Sequence, residues 1–321
     1  MSMVDASAVN DLVRPAARAE PLLGAGSAIA AWLALFVGFL LIGVVAQGRD
    51  LVAGLWITEA IAIALPALIL LRAANVKLGP YLGLGFPGWK WIAIAVAAGL
   101  LNQPVVSLLE QVAHSLLPQA WINDFDAKNR LLDAVFASRQ VAMVVTVTVA
   151  APLGEEFFFR GFALQALAKS MTPLRAALLS GLMFGLLHLD PVGLLGLMEI
   201  GVLLAVLRHA SGSLWPAVVG HAVNNGIAAA AFVLKLQDPS EAPPWWFLAV
   251  GAILLFAGGA VGLRLLRAPG PVPGDEQRWS VADPAPDRFR FARAWPLVAI
   301  WLLAVAAGAT QFRTVLQALR G

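Results

Sequence analysis

Residues 140–168 read QVAMVVTVTVAAPLGEEFFFRGFALQALA, an apolar stretch that contains only three charged residues. About 20 mostly apolar residues suffice for a helix to cross the hydrocarbon core of a bilayer, so this stretch predicts a transmembrane helix. Charged groups at that depth are costly and are usually functional. The stretch therefore predicts both a membrane protein and a polar site within its membrane region.

The rest of the chain has the same apolar character. Of its 321 residues, 60% are hydrophobic and 13% are charged, and the mean hydropathy is +0.80. A soluble domain carries roughly twice that charged fraction. We therefore expect an all-α, polytopic transmembrane helical bundle of about eight to nine spans. The candidate spans are residues 27–47, 51–71, 91–117, 140–168, 173–188, 192–208, 214–234, 245–266 and 294–316.

These spans divide the chain into four segments. Residues 1–26 are predicted to form a cytoplasmic arm, and residues 27–139 the first spans with an outer loop, in which 118–139 can hold a helix on the membrane surface. Residues 140–234 form the expected catalytic core. Residues 235–321 contain the last spans and a cytoplasmic loop at 268–293, which is rich in proline and charge.

The basic residues indicate orientation rather than a nucleic-acid partner. With the N-terminus inside, the 22 lysines and arginines divide 15 to 7 in favour of the inner loops, as the positive-inside rule requires. We therefore predict a multi-pass protein of the cell membrane with a cytoplasmic N-terminus. The chain has no cysteine, which excludes disulfides, thiolate metal ligands and a cysteine nucleophile.

Two adjacent acids in the fourth span are predicted to differ in role. Glu156 and Arg160 are four residues apart, so they share a helix face and can form an ion pair. Glu155 is rotated by about 100° and lacks a local cationic partner. A carboxylate in such a position can act as a general base. The alternative is that both acids belong to an ion network that holds the helices together.

The fourth and fifth spans should form a hairpin that turns near Met171. Glu155 lies 16 residues before Met171 and His188 lies 17 residues after it, so both should lie at nearly the same depth. Phe184 is one turn before His188 and can pack on its ring. We expect the glycine pair at 181 and 185 to let the fifth helix approach the fourth. The alternative for His188 is a helix cap or an interfacial residue.

The seventh span offers an imidazole and a carboxamide on one face, from His221 and Asn225. Positioned donors of this kind stabilise a developing oxyanion. The alternative is hydrogen bonding between helices, which is the role we expect for Asn224. The depth of Glu199 also allows a contact with Arg160.

Three motifs in this order resemble a known family. The patterns Glu-Glu-x-x-x-Arg at 155–160, Phe-x-x-x-His at 184–188 and His-x-x-x-Asn at 221–225 are similar to those of the CAAX prenyl protease and bacteriocin-processing (CPBP) family of intramembrane proteases. The resemblance covers about residues 140–232. It implies that Glu155 and His188 activate water and that His221 and Asn225 stabilise the tetrahedral intermediate. It also implies that the active site lies in an intramembrane cavity between spans.

The resemblance leaves the use of a metal open. The favoured mechanism needs no cofactor, with Glu156, Arg160 and Phe184 as structural support. The alternative places zinc on His188, His221 and Glu155, since two histidines and a glutamate form a known zinc set. Expected partners are membrane lipid and a peptide or lipid-modified protein substrate, without nucleic acid. Two competing functions are a non-catalytic membrane scaffold and a proton-coupled transporter that uses the same polar residues.

Overall fold

The computed structural model describes residues 23–235, 242–270 and 290–318. Every regular element within these ranges is helical, which confirms the predicted all-α class. Most of the predicted cytoplasmic arm at 1–26 and of the predicted loop at 268–293 lies outside the described residues.

Seven helices of the described ranges are long and apolar enough to cross a membrane, and two further apolar helices begin at Pro173 and Trp295. This number agrees with a polytopic bundle. In chain order the helices are α1 (Ala25–Arg49), α2 (Leu51–Ala73), α3 (Leu78–Leu82), α4 (Trp89–Leu116), α5 (Gln119–Ala168), α6 (Pro173–Leu187), α7 (Leu194–Ser211), α8 (Trp215–Leu234), α9 (Trp245–Arg267) and α10 (Trp295–Ala318).

The outer surface of the bundle is apolar, as a lipid-facing surface requires. Phe256 on α9 is 77% exposed and Leu303 on α10 is 70% exposed. Exposed tryptophans begin four of the helices, at Trp89, Trp215, Trp245 and Trp295. Tryptophan is enriched where helices meet the membrane–water interface, so these residues indicate the membrane boundaries.

Helix α5 is longer than the predicted fourth span. It begins at Gln119 and is kinked at Arg139, where φ is −137° and ψ is 41°. Arg139 forms an ion pair there with Asp50, the residue between α1 and α2. Asp50 also caps α2 by accepting a hydrogen bond of 3.0 Å from the backbone N–H of Ala53. The Ala53 hydrogen bond, followed by that of Arg139, lowers the pKa of Asp50.

Helix α2 contains one π-helical segment, whereas α5 contains two, of which Thr146–Ala150 is the first. The segment Thr58–Ala64 of α2 packs against Ala151–Glu156 of α5, which is followed by the second π-helical segment, Phe157–Ala163. A π-helical turn widens a helix locally and is frequent at functional sites. The segments Thr58–Ala64 and Phe157–Ala163 therefore both adjoin Glu155 and Glu156.

Helices α5 and α6 form the predicted hairpin, and α6 packs most extensively on α7. The expected role of the glycine pair is wrong, because these residues face α7 rather than α5. A Cβ atom at Gly181 would lie 2.9 Å from the carbonyl oxygen of Met198, and one at Gly185 would meet Leu194 at 3.0 Å. The absence of side chains at both positions therefore brings α6 close to α7.

Candidate active site

An ion pair between Glu156 and Arg160 lies at the centre of the bundle. Arg160 Nη1 is 2.7 Å from Glu156 Oε1, and both side chains are completely buried. This contact confirms the pairing predicted from their spacing. Arg160 Nη2 donates a second hydrogen bond of 2.7 Å to the carbonyl oxygen of Gly201 on α7. Among the described residues Arg160 does not pair with Glu199, so that expectation is wrong: the guanidinium reaches α7 through the backbone.

The same carboxylate oxygen connects the ion pair to α8. His221 Nδ1 is 2.9 Å from Glu156 Oε1, and because a carboxylate only accepts, the imidazole donates this hydrogen bond. The Nε2 atom of His221 then points away from Glu156 and lies 3.6 Å from Oε2 of Glu155. Glu156 therefore holds α5, α7 and α8 together through one oxygen atom and its arginine partner.

Glu155 lies between the two histidines. Its Oε1 atom is 3.8 Å from His188 Nε2, and its Oε2 atom is 3.6 Å from His221 Nε2. The contact with His188 confirms the equal depth predicted from the hairpin. Both distances are too long for direct hydrogen bonds, and the gap between Glu155 and His188 is short enough for one water molecule to contact both groups.

His188 is oriented by the residue one turn before it. Its Nδ1 atom donates a hydrogen bond of 3.0 Å to the carbonyl oxygen of Phe184, which leaves Nε2 directed at Glu155. The ring of Phe184 lies 4.9 Å from the imidazole of His188 and 4.8 Å below the guanidinium of Arg160. The phenylalanine therefore separates the solvent-accessible histidine from the buried cation and fixes the position of both.

The adjacent asparagines of α8 have different partners. Asn224 accepts hydrogen bonds from Asn102 at 3.2 Å and from Gln103 at 3.1 Å, which confirms its predicted interhelical role. Asn225 donates from Nδ2 to the carbonyl oxygen of Val147 at 3.0 Å. A carboxamide nitrogen carries two protons, so Asn225 keeps a second N–H. Asn225 also accepts a hydrogen bond of 3.4 Å from Asn224 Nδ2, and among the described residues neither contact of Asn225 involves the acids or the imidazoles.

A third carboxyl group, that of Glu59 on α2, lies near the acidic pair, and the sequence predicted no role for it. Its side chain is buried, and its Oε2 atom has no hydrogen-bond partner among the described residues. A Cβ atom at Gly154 would lie only 2.5 Å from that oxygen, so glycine is needed beside Glu155. A lone glutamate in an apolar span was the available signal.

The zinc alternative requires two imidazole nitrogens and a carboxylate oxygen around one ion, at about 2.0–2.2 Å from it. Each histidine instead approaches a different oxygen of Glu155. Within the described ranges, no group of three histidine, aspartate or glutamate side chains is arranged to hold a metal ion. These residues do not fit a zinc triad in this arrangement, and we derive no step through a metal.

The fold and the site together define a polytopic membrane protein with a buried, carboxylate- and imidazole-containing centre. Residues 137–227 match a protein family described as type II CAAX prenyl endopeptidase Rce1-like. This match, over less than a third of the chain, confirms the resemblance to the CPBP family and supports a membrane protease in general. Neither the curated proteins nor the solved structures include a significant match to the chain.

Replacing Glu156 by glutamine should destabilise the protein, because Arg160 would remain buried without a counter-charge. Breaking a buried ion pair in this way costs about 3–5 kcal/mol. The measurement is the midpoint of thermal unfolding in detergent. The double variant Glu156→Gln/Arg160→Met is the control, and we expect it to lose less stability than the sum of the single variants. An unchanged midpoint for Glu156→Gln would contradict the central role of the pair.

Proposed function

We propose that this protein is an intramembrane endopeptidase that cleaves a membrane-associated substrate with water activated by Glu155 and His188. The convergence of Glu155, His188 and His221 from three helices supports the proposal most directly. These residues belong to three separate motifs, and they lie within the segment that matches the protease family.

The first chemical step is attack by water on the peptide carbonyl carbon. A water molecule between Glu155 Oε1 and His188 Nε2 gives up a proton to Glu155 while its oxygen forms the new bond to carbon. The hydrogen bond from His188 Nδ1 to Phe184 favours this arrangement, because it leaves Nε2 free to accept from the water. A general base of this kind contributes about 10²- to 10⁴-fold to the rate.

The second step is collapse of the tetrahedral intermediate. The remaining N–H of Asn225 and the imidazole of His221 stabilise its oxyanion. As the carbon–nitrogen bond breaks, the proton held by Glu155 passes to the leaving amine, which restores the carboxylate. The hydrogen bond to Glu156 keeps His221 in place during both steps, and Arg160 keeps Glu156 in place.

The substrate class depends on the side of the membrane from which the site is reached. We propose a lipid-modified or membrane-bound peptide, with a prenylated CAAX-type C-terminus as one candidate and a bacteriocin-like precursor as another. Glu155 is about 24 Å along α5 from the turn at Met171, hence nearer the opposite face. With the proposed cytoplasmic N-terminus and location in the cell membrane, that face is the outer one, which favours the precursor peptide.

Glu155→Gln and His188→Ala should each reduce cleavage by about 10²- to 10⁴-fold, because each removes one partner of the attacking water. The measurement is mass spectrometry of membrane-anchored peptides, with and without a farnesyl group, after incubation with the protein in proteoliposomes. Asp133→Asn, which changes an exposed carboxyl group of α5 that lies 22 residues before Glu155, should leave cleavage unchanged. Wild-type rates from either folded site variant would refute the assignment.

The neighbouring asparagines allow a matched comparison. Asn225→Ala should lower the cleavage rate by about 10²- to 10³-fold, the usual effect of losing an oxyanion donor. Asn224→Ala should instead lower the unfolding midpoint, because it removes the contacts with Asn102 and Gln103. The comparison uses the rate at saturating substrate and the unfolding midpoint of both variants. Equal rate losses would argue against a separate role for Asn225.

Chelation should leave the activity intact if Glu155 acts without a metal. We expect dialysis against a strong chelator to change neither the cleavage rate nor the unfolding midpoint. Elemental analysis of the purified protein should then find much less than one zinc per chain. Loss of activity that zinc alone restores would favour the metal mechanism over the one proposed here.

A further inference from the structure

A cavity of about 300 Å³ lies at the other end of the α5–α6 hairpin from the candidate active site. Lys169 at its edge is 14 residues beyond Glu155, or about 20 Å along the helix axis. None of the described residues that line the cavity has a role in the proposed catalysis. The lining residues are Pro80, Tyr81, Leu164, Gln165, Ala168, Lys169, Pro173, Ala176, Arg208, His209, Gly212, Leu266 and Gly270.

The main polar feature of the cavity is Arg208, in the last turn of α7. Its side chain is 5% exposed, and its Nε atom has no hydrogen-bond partner among the described residues. No ion pair of the described ranges involves it. A buried cation is costly without a counter-charge. An anion bound in the cavity would supply that counter-charge.

The helix α3 and the residue after it hold Arg208 against the cavity. Gly83 has φ of +72°, and a Cβ atom there would lie 2.6 Å from Arg208 Nη2 and 2.7 Å from the carbonyl oxygen of Gly212. The carbonyl oxygen of Gly83 accepts a hydrogen bond of 2.8 Å from the backbone N–H of Leu214. The backbone around the guanidinium is therefore closely packed, which limits the positions that Arg208 can adopt.

The remaining lining residues complete a cationic site with an apolar wall. Lys169 and His209 add basic groups, and the described residues that line the cavity include no aspartate or glutamate. Leu164 and Leu266 contribute apolar surface on helices α5 and α9. Such a combination suits a ligand that has both a negative headgroup and an apolar part.

We propose that this cavity binds a phosphate group, carried by an anionic lipid headgroup or by a soluble phosphate compound. A guanidinium offers two parallel N–H donors that match phosphate oxygens, and a lysine adds a point charge. Anionic lipids are attracted to membrane faces rich in lysine and arginine, and the cavity lies on that face in the orientation proposed above. The proposal does not depend on the catalytic one.

The cavity is too far from Glu155 to bind the end of a peptide that is being cleaved there. An extended chain covers at most about 3.6 Å per residue, so about six residues would lie between a carboxylate bound here and the bond cleaved. A short C-terminal peptide held at Glu155 could not place its terminal carboxylate in the cavity. The cavity is therefore assigned to a separate ligand.

The test uses native mass spectrometry of the full-length protein, titrated with phosphatidylglycerol or phosphatidylcholine in detergent. The wild-type protein should retain one phosphatidylglycerol in preference to phosphatidylcholine. Lys169→Gln and Arg208→Gln should each weaken phosphatidylglycerol binding by about tenfold or more, since each loses a charge-assisted contact. Lys169 lies at the exposed edge, so its replacement tests the site even if Arg208→Gln does not fold.

Arg175→Gln is the matched control, because this exposed arginine follows the same turn and does not line the cavity. It should bind phosphatidylglycerol as the wild type does. Equal weakening by Arg175→Gln would show general surface attraction and would overturn the proposal. The proposal would also be overturned if phosphatidylglycerol and phosphatidylcholine bound equally well and inorganic phosphate did not change the unfolding midpoint.

An experiment with inorganic phosphate shows whether the bound phosphate group belongs to a lipid headgroup or to a soluble compound. The unfolding midpoint is measured in sodium phosphate and in sodium chloride of equal ionic strength. A rise in phosphate that Lys169→Gln removes would assign the site to a soluble phosphate compound. Binding of phosphatidylglycerol that depends on Lys169, without such a rise, would assign it to a lipid headgroup.

Discussion

The buried ion pair between Glu156 and Arg160 is the constraint on which the polar centre depends. Two charges that are fully removed from water are tolerated only when their hydrogen-bonding groups are closely paired. Arg160 therefore reaches the backbone of α7 at Gly201, and Glu156 accepts from His221 on α8. Because these contacts originate from two residues of one helix, the positions of three helices are coupled at a single point.

This coupling gives two neighbouring glutamates different environments. Glu156 has a cation and an imidazole on one oxygen and is inaccessible to solvent. Glu155 points to another side of α5, where two imidazoles lie beyond direct hydrogen-bond distance. The aromatic rings of Phe159 and Phe184 fill the space next to Arg160. One carboxylate is thus held in a closed network, whereas the other faces a gap that one water molecule can bridge.

The sequence predicted those features that depend on spacing along one helix or across one short turn. The Glu156–Arg160 pair follows from a separation of four residues, and the meeting of Glu155 with His188 follows from counting residues on both sides of Met171. In each case the helical rise and period determine the result. The hydrophobic pattern likewise predicted the membrane helices to within a few residues at most ends, α5 excepted.

Features that depend on which helices are neighbours were not predictable in this way. The sequence gives the depth of Gly181 but not the direction in which it faces, and the structure turns it towards α7. The contact of Glu59 with Gly154 joins spans that are far apart in sequence. Arg160 and Asn225 both use backbone carbonyl oxygens, of Gly201 and Val147, and a carbonyl group is common to all residues. Contacts with backbone carbonyl groups therefore cannot be predicted from the pattern of side chains.

Solvent exposure falls steadily across the site, from 30% for the His188 side chain to 8% for Glu155, 4% for His221 and none for Arg160. In the proposed reaction, a peptide bond therefore approaches from the His188 side and passes His188 to reach Glu155. The carbonyl oxygens of a helical peptide are hydrogen-bonded within the helix and surrounded by its side chains. A helical segment would be too wide to enter the site, and its carbonyl groups would already be engaged in hydrogen bonds of the helix. Local unwinding of the substrate thus becomes a condition of cleavage, and helix-breaking residues near the cleaved bond would favour it.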